Sequence, residues 1–358
     1  MPADEKAILA ALSQIIDPDL GRDIVNLGFV KNLSIDGGKV AFDIELTTPA
    51  CPVKDQFKTQ AEELVLALDG VDAVNVNMTA QVRQAAPQAA GLQNIAGVTH
   101  MIPVASGKGG VGKSTVSVNL ALALAQTGAR VGLMDLDIYG PSVPTIMGTE
   151  AKPTIEEDRI LPAEKHGVKF ISMGFFLEEE KAVVWRGPML VKMIDEFIAN
   201  VEWGELDYMI VDLPPGTGDI QLSLCQKVAL TGAVVVSTPQ DVALKVAQKA
   251  ISLFNSLKTP VLGLVENMSY YTCPSCGEKD YIFGNGGTKK AATRLGLPFL
   301  GELPLSTKIR EDSDAGEPTV IADPNGEHAR AFQAIAAQMA AQVSIRTMNA
   351  EAAVKINF

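Results

Sequence analysis

Apolar and polar positions follow two different rhythms along the chain. Near the N-terminus, Ile8, Leu9, Leu12, Ile15 and Ile16 recur at helical spacing ahead of Pro18. VKNLSI and VAFDIEL then alternate apolar with polar residues on either side of a DGGK turn, the pattern of a hairpin. A second helical pattern (Phe57, Ala61, Leu64, Val65, Leu68) leads into a strand, VDAVNVNM. Residues 1–83 therefore predict a small α+β domain. Residues 84–97, QAAPQAAGLQNIAG, carry no charge and read as a flexible linker by composition.

From residue 98 the rhythm changes. VTHMIPVAS, VGLMD, VKFIS, YMIVDL, AVVVST, VLGLVENM and LPFLGELP are strand-length runs, mostly apolar, that alternate with helical patterns. Strands apolar on both faces are buried on both faces, so residues 98–342 predict an α/β fold with a mostly parallel sheet covered by helices on each side. In such sheets ligands sit at the carboxyl ends of the strands. Residues 343–358, VSIRTMNAEAAVKINF, are expected to trail past the last helix as a tail. They lack the sustained basic amphipathic face of a membrane-binding segment.

The first of these strands runs into SGKGGVGKST, Ser106 to Thr115. Gly107 and Gly112 bound a G-x-x-x-x-G-K-S pattern, a phosphate-binding loop. Glycines let successive backbone N–H groups converge on phosphate oxygens without Cβ clashes, and the following helix adds its dipole there. Residues Gly107, Lys108, Gly109, Gly110, Val111, Gly112, Lys113, Ser114 and Thr115 would cradle ATP, with Lys113 along the β/γ-phosphates and the Ser114 hydroxyl on Mg²⁺. Asp212 ends the YMIVDL strand, where a Walker B aspartate would hold Mg²⁺ through a water. The Pro214–Gly218 turn after it is a candidate γ-phosphate switch or a rigid structural turn. Asp137 lies just beyond the end of VGLMD, as a ligand-edge carboxylate or a turn residue. Asn267 ends VLGLVEN; its amide offers both a donor and an acceptor.

The chain has 358 residues, room for two domains, and 47% hydrophobic content supports a core in each. Net charge is −12. Residues 1–83 carry 7 basic and 13 acidic side chains, a balance of −6, so half of the excess sits on that small domain. No basic field is present to attract nucleic acid. With no run of about twenty apolar residues and no leader pattern, a soluble cytoplasmic protein without a membrane partner is expected.

Four cysteines are too few for a disulfide framework in a chain of this size. Cys225 lies in an apolar helical stretch and reads as core. Cys51, between two prolines at a strand-to-helix junction, reads either as a packed small residue or as a thiolate at a helix start. Cys273 and Cys276 form a C-x-x-C turn directly after the Asn267 strand. Two thiolates can grip one metal centre, but a tetrahedral zinc site or a cubane cluster takes four ligands. The chain has no second C-x-x-C. His100, His166 and His328 share no motif and are assigned no role.

GKGGVGKST resembles the deviant phosphate loop of the ATPases that include MinD, ParA and the Mrp/ApbC iron-sulfur carriers. DLDIYGPS, WRGPM, DLPPGTGD and ENMSYYTCPSCG are similar to the Mrp/ApbC-type carriers specifically, and DPDLGRDIVNLGFV with TTPACPV resembles the small PaaD-like domain that accompanies them. The resemblance implies a P-loop NTPase in which Lys108 reaches a partner's nucleotide, Asp137 positions the attacking water and Asn267 reads the adenine edge. It further implies a homodimer whose Cys273 and Cys276 pairs bridge a [4Fe-4S] cluster, taken from a donor scaffold and passed to apo iron-sulfur proteins, with slow ATP hydrolysis. A positioning ATPase of the MinD or ParA kind, or a cluster assembly scaffold, is the alternative.

Overall fold

The computed structural model describes residues 4–83, 92–149, 151–156, 159–176 and 187–356. The chain divides into two units, residues 1–84 with 344–358 and residues 85–343.

In the small unit, helix α1 (Glu5–Leu12) starts at Asp4, whose carboxylate accepts the Ala7 N–H at 2.8 Å. That bond satisfies one of the donors a helix start leaves free. A short antiparallel pair, β1 (Ile16–Asp17) with β2 (Arg22–Asp23), precedes the hairpin of β3 (Val30–Asp36) and β4 (Lys39–Leu46). Alternate side chains of β4 are buried, as expected of a strand with one covered face. Helix α2 (Lys54–Leu66) crosses over to β5 (Ala73–Ala80), which pairs parallel with β4. Ile8, Leu12, Phe29, Phe42, Ile44 and Phe57 meet in this unit's core.

The large unit begins with β6 (Val98–Ser106), α3 (Lys113–Gln126), β7 (Val131–Asp135) and α4 (Val143–Met147). A small antiparallel pair, β8 (Thr154–Glu156) with β9 (Arg159–Leu161), then precedes β10 (Ala163–Lys165) and β11 (Val168–Ser172). Next come α5 (Gly187–Ala199), β12 (Leu206–Asp212), α6 (Asp219–Lys227), β13 (Ala233–Ser237), α7 (Asp241–Ser256) and β14 (Val261–Glu266). A minimal hairpin, β15 (Tyr271–Thr272) with β16 (Lys279–Asp280), interrupts the alternation. It is followed by α8 (Gly287–Leu295), β17 (Phe299–Glu302), α9 (Thr307–Ala315), α10 (Thr319–Ala322) and α11 (Glu327–Ile356).

Eight of these strands form one sheet in the order β10-β11-β7-β12-β6-β13-β14-β17. Only the edge pair β10 and β11 is antiparallel. All residues of β7, β13 and β14 are buried, which is why they read as uninterrupted apolar runs. β6 lies at the centre of the sheet, between β12 and β13. Its loop therefore opens where strand order reverses, the crevice at which doubly wound sheets bind ligands.

Two sequence expectations are corrected. Residues 92–97 are not linker: the Gln93 N–H donates to the Lys227 carbonyl at 2.7 Å, the Ala229 N–H to the Gln93 carbonyl at 3.0 Å, and Ile95 is buried in the large core. Residues 84–91 lie outside the described residues, as do Trp185 and Arg186 of the WRGPM run. Nor do residues 343–356 form a loose tail, because α11 runs unbroken from Glu327 to Ile356. Alanine, glutamine and methionine carry the helix through the expected boundary, and neither Gly nor Pro stops it.

Candidate functional site

The loop from Ser106 to Ser114 is built by close approaches that only glycine permits. Gly110 and Gly112 have φ of +76° and +78°, in the left-handed region. A Cβ on Gly107 would lie 2.4 Å from the Ala247 backbone nitrogen in α7, so no side chain fits there. The first free N–H groups of α3 then face the loop at Lys113, with the helix dipole behind them.

Lys113 is buried, and its ammonium donates to Asp212 Oδ2 at 2.8 Å and lies 3.4 Å from Asp137 Oδ2. Ser114 Oγ donates to Asp212 Oδ2 at 2.5 Å, and Ser117 Oγ lies 2.6 Å from Oδ1 of the same carboxylate. Asp212 ends β12 in register with Asp135 of β7, so two wholly buried carboxylates stand side by side. Asp135 accepts from Ser172 Oγ at 2.7 Å and from the Asp137 N–H at 3.0 Å. Burial, with the neighbouring charge of Asp212, pushes the Asp135 carboxyl up to about 7. Lys113 is thus the cation of a three-carboxylate cluster at the mouth of a 390 Å³ cavity lined by the loop, Asp137, Tyr139 and Pro215. The Ser114 hydroxyl and Asp212 carboxylate are adjacent hard oxygen donors, a set that suits Mg²⁺.

Lys108 donates to Gln240 Oε1 at 3.2 Å, within its own chain. The Pro214–Gly218 turn is tied down on two sides. Gln221 Nε2 donates to the Pro214 carbonyl at 2.6 Å, and the Gly216 N–H donates to the Ser106 carbonyl at 2.9 Å.

Asn267 sits between the loop and a second cavity of 590 Å³, walled by Met268, Pro304, Leu305, Ile309 and Phe332. Its Nδ2 donates to the Val111 carbonyl at 2.8 Å and its Oδ1 accepts the Met268 N–H at 2.9 Å. Only the second Nδ2 hydrogen and a second lone pair remain for a base.

Cys273 and Cys276 lie in the turn of the β15–β16 hairpin, closed by the Cys273 N–H on the Glu278 carbonyl at 2.9 Å and the Gly277 N–H on the Cys273 carbonyl at 2.8 Å. Cys276 is exposed and Cys273 half-buried. Backbone N–H groups of Ser275 and Cys276, then the Cys276 thiol, hold the Cys273 thiol below its ordinary value. Cys51 and Cys225 go the other way: burial pushes each up to about 11, with Thr259 hydrogen-bonding Cys225. Cys51 therefore does not have the thiolate character considered for a helix start. Among the described residues no group of three His, Cys, Asp or Glu could hold a metal ion, so the turn supplies two thiolates by itself.

Sequence reasoning placed Lys113, Ser114, Asp137 and Asp212 as separate candidates, and the fold brings them together. It missed Ser117, Asp135 and Gln240. Ser117 follows Lys113 by one helical turn, so the helix period would have found it. Asp135 ends the VGLMD run, a strand-end position that could have drawn attention to it, whereas Gln240 meets Lys108 across 132 positions and that pairing leaves no local signal.

The residues from 97 to 340 match the family described as NUBPL iron-transfer P-loop NTPase, and residues 5–78 match that described as iron-sulfur cluster assembly protein. The chain is 49% identical over 345 residues to the iron-sulfur cluster carrier protein of Deinococcus radiodurans, covering 96% of this chain and 97% of that one. It is 44% identical over 351 residues to that of Synechocystis, covering 96% and 98%. Among solved structures, a nucleotide-binding protein from Archaeoglobus fulgidus in complex with ADP is 40% identical with a TM-score of 0.56, covering 63% of this chain and 89% of that one. Among the described residues no helix is long and apolar enough to cross a membrane.

Proposed function

The chain belongs to the iron-transfer P-loop NTPase family, and from that premise we propose that it is an ATP-dependent iron-sulfur cluster carrier. The observation that carries the reading is the pairing, within one unit, of a phosphate loop with a thiol pair of which Cys276 is exposed and the half-buried Cys273 is already biased toward thiolate. Thiolate is the form that ligates iron. A structural cysteine pair would be better buried, whereas an accessible one can exchange its cargo with other thiolates.

Two thiolates per chain leave half of a cubane's ligands to be found, so we assign the other half to the same turn of a second copy. The cargo would then be a [4Fe-4S] cluster bridging a homodimer, received from a donor scaffold and released to apo-proteins by ligand exchange. ATP would enter the cleft with its phosphates on the loop N–H groups and Lys113, drawing the ammonium away from Asp137 and Asp212. Ser114 and Asp212 would hold Mg²⁺, which supplies charge neutralisation at the phosphates. Asp137, released from Lys113, would orient the attacking water. Lys108 would leave Gln240 for the partner's nucleotide, adding positive charge where the transition state gathers negative charge. A site that must wait for a partner turns over slowly.

Anaerobic reconstitution with iron and sulfide tests the reading. About four irons per dimer are expected for the wild type, with Mössbauer parameters of a cubane, and none for Cys273→Ala with Cys276→Ala. Equal iron in both proteins, or zinc in place of iron, overturns it.

A further inference from the structure

The turn from Pro214 to Gly218 is tied to α6 by the side chain of Gln221, and we infer that Gln221 is the positioning residue that fixes this turn for the γ-phosphate of ATP. The inference rests on the ATP-dependent reading of the phosphate cleft and adds the residue that gives the cleft its preference for ATP over ADP.

The turn has few donors with which to close itself. Pro214 and Pro215 have no N–H, so its first two residues offer only carbonyl oxygens. Gly216 takes φ of +94°, where a side chain would be strained, and its N–H donates to the Ser106 carbonyl at 2.9 Å, at the start of the phosphate loop. Gln221, in the first turn of α6, takes the carbonyls on either side of Pro215. Its Nε2 donates to the Pro214 carbonyl at 2.6 Å and to the Gly216 carbonyl at 3.3 Å. An amide nitrogen has two hydrogens, one for each oxygen. The reversed amide would set Oε1 against both carbonyls, so the acceptors fix its orientation. The amide serves the turn through its donors alone, since its Oε1 is buried and has no hydrogen-bond partner among the described residues.

Where the turn lies decides what this does for the site. Asp212, the Mg²⁺ candidate, stands two residues ahead of Pro214. Pro215 lines the 390 Å³ cavity together with the loop, and a Cβ on Gly109 would lie 3.9 Å from Pro215 Cγ. Lys113 and Asp212 mark the β/γ end of a nucleotide, so the turn borders the phosphate that ATP has and ADP lacks. Carbonyl oxygens turned toward that phosphate would repel it. Gln221 binds two of them, and the turn keeps free donors beside the cavity. Thr217 and Gly218 are exposed, and neither their N–H groups nor the Thr217 hydroxyl makes a hydrogen bond among the described residues. A turn anchored to the loop at Gly216 and to α6 through Gln221 is a fixed frame, and donors held in such a frame meet a phosphate without reorganising.

Calorimetry of the full chain with Mg²⁺ compares ADP with a non-hydrolysable ATP analogue, and steady-state ATP hydrolysis is followed in parallel. Gln221→Met keeps the length of the side chain and removes both hydrogens. ADP affinity should stay within about twofold of wild type, while affinity for the analogue falls at least about fivefold, the lower end of what stranding a buried polar group costs, and kcat falls with it. The split between the two ligands is the readout, because a residue that only supported the fold would move both together. Gln221→Leu decides the matter if Gln221→Met does not fold. Equal losses for the two nucleotides, an unchanged affinity for the analogue, or two variants that fail to fold and bind no ADP each overturn the positioning role and leave the carrier reading standing. A wild type that binds neither nucleotide overturns the ATP-dependent reading itself.

Discussion

Lys113 is the counter-cation of a buried carboxylate cluster, and its contribution can be measured without nucleotide. In Lys113→Met the aliphatic stem stays and the charge goes. Asp135 and Asp212 are fully buried and Asp137 nearly so, and all three then lack the ammonium that stood at 2.8 Å from Asp212 and 3.4 Å from Asp137. Removing one partner of a buried pair costs about 3–5 kcal/mol, against about 0–1 kcal/mol for an exposed pair such as Arg310 with Asp314. The cost depends on pH in a definite direction. Asp135 ordinarily titrates near 3.8 and is raised to about 7 in the fold, so between those values the folded state holds more protons than the unfolded one. Stability from this group is complete below about 3.8 and falls as pH rises toward 7. Without Lys113, which lowers Asp135, the proton is held more tightly and the falling window extends above 7. The gap between variant and wild type should therefore widen from pH 6 to pH 8, by at most about 1.4 kcal/mol per unit per proton. Urea unfolding followed by the fluorescence of Trp203, buried in the large core, reads it in a Trp185→Phe background. Lys113→Met with Asp212→Asn should recover most of the loss. A variant within about 1 kcal/mol of wild type at pH 8, or a gap no wider than at pH 6, refutes the charge assignment.

Two further outcomes follow from the geometry. Labelling of Cys273 by iodoacetamide should rise with pH at an inflection below the ordinary thiol value of 9.0, while Cys51 and Cys225 stay unlabelled in the folded protein until about 11; the order is checked by peptide mass spectrometry across pH 6–11 and fails if Cys51 labels first. Gly112→Ala puts a side chain at φ +78° and 2.3 Å from the Asn267 amide, so ATP affinity by calorimetry should fall at least about fivefold, the equivalent of the lower end of the roughly 1–3 kcal/mol such backbone strain costs, and unchanged affinity would mean the loop is not held as described.

How much of the fold was legible depended on whether the signal was local. β7, β13 and β14 were visible because full burial on both faces leaves apolar runs without alternation. Their order in the sheet was not, since β6 pairs with β12 and β13 through backbone bonds that no side chain records. The last helix was cut short at residue 342 in the reading, yet helix propensity continues it to Ile356. Gln93 and Ile95 were read as linker because composition reports the average of a stretch. One backbone pairing and one buried isoleucine decided the matter.

The site shows the same division, and it explains why its two halves were unequally visible. The loop glycines, Lys113 and Ser114 are neighbours in sequence, and Asp137 and Asp212 stand at strand ends where ligand-edge residues are looked for. Ser172 with Asp135, and Val111 with Asn267, join residues 37 and 156 positions apart, so their roles exist only once the sheet is assembled. The cysteine pair is the reverse case, since its spacing is plain and its coordination is incomplete. A chain that holds a buried Cys225 and a half-buried Cys51 hard to ionise, yet leaves Cys276 exposed beside a depressed Cys273, has divided its thiols between two environments. Exposed thiolates invite oxidation, a liability that a self-contained structural zinc site avoids by closing its own shell. Exposure makes sense where the ligands must be reached by another protein's thiols, and a carrier's cargo has to be released as well as held.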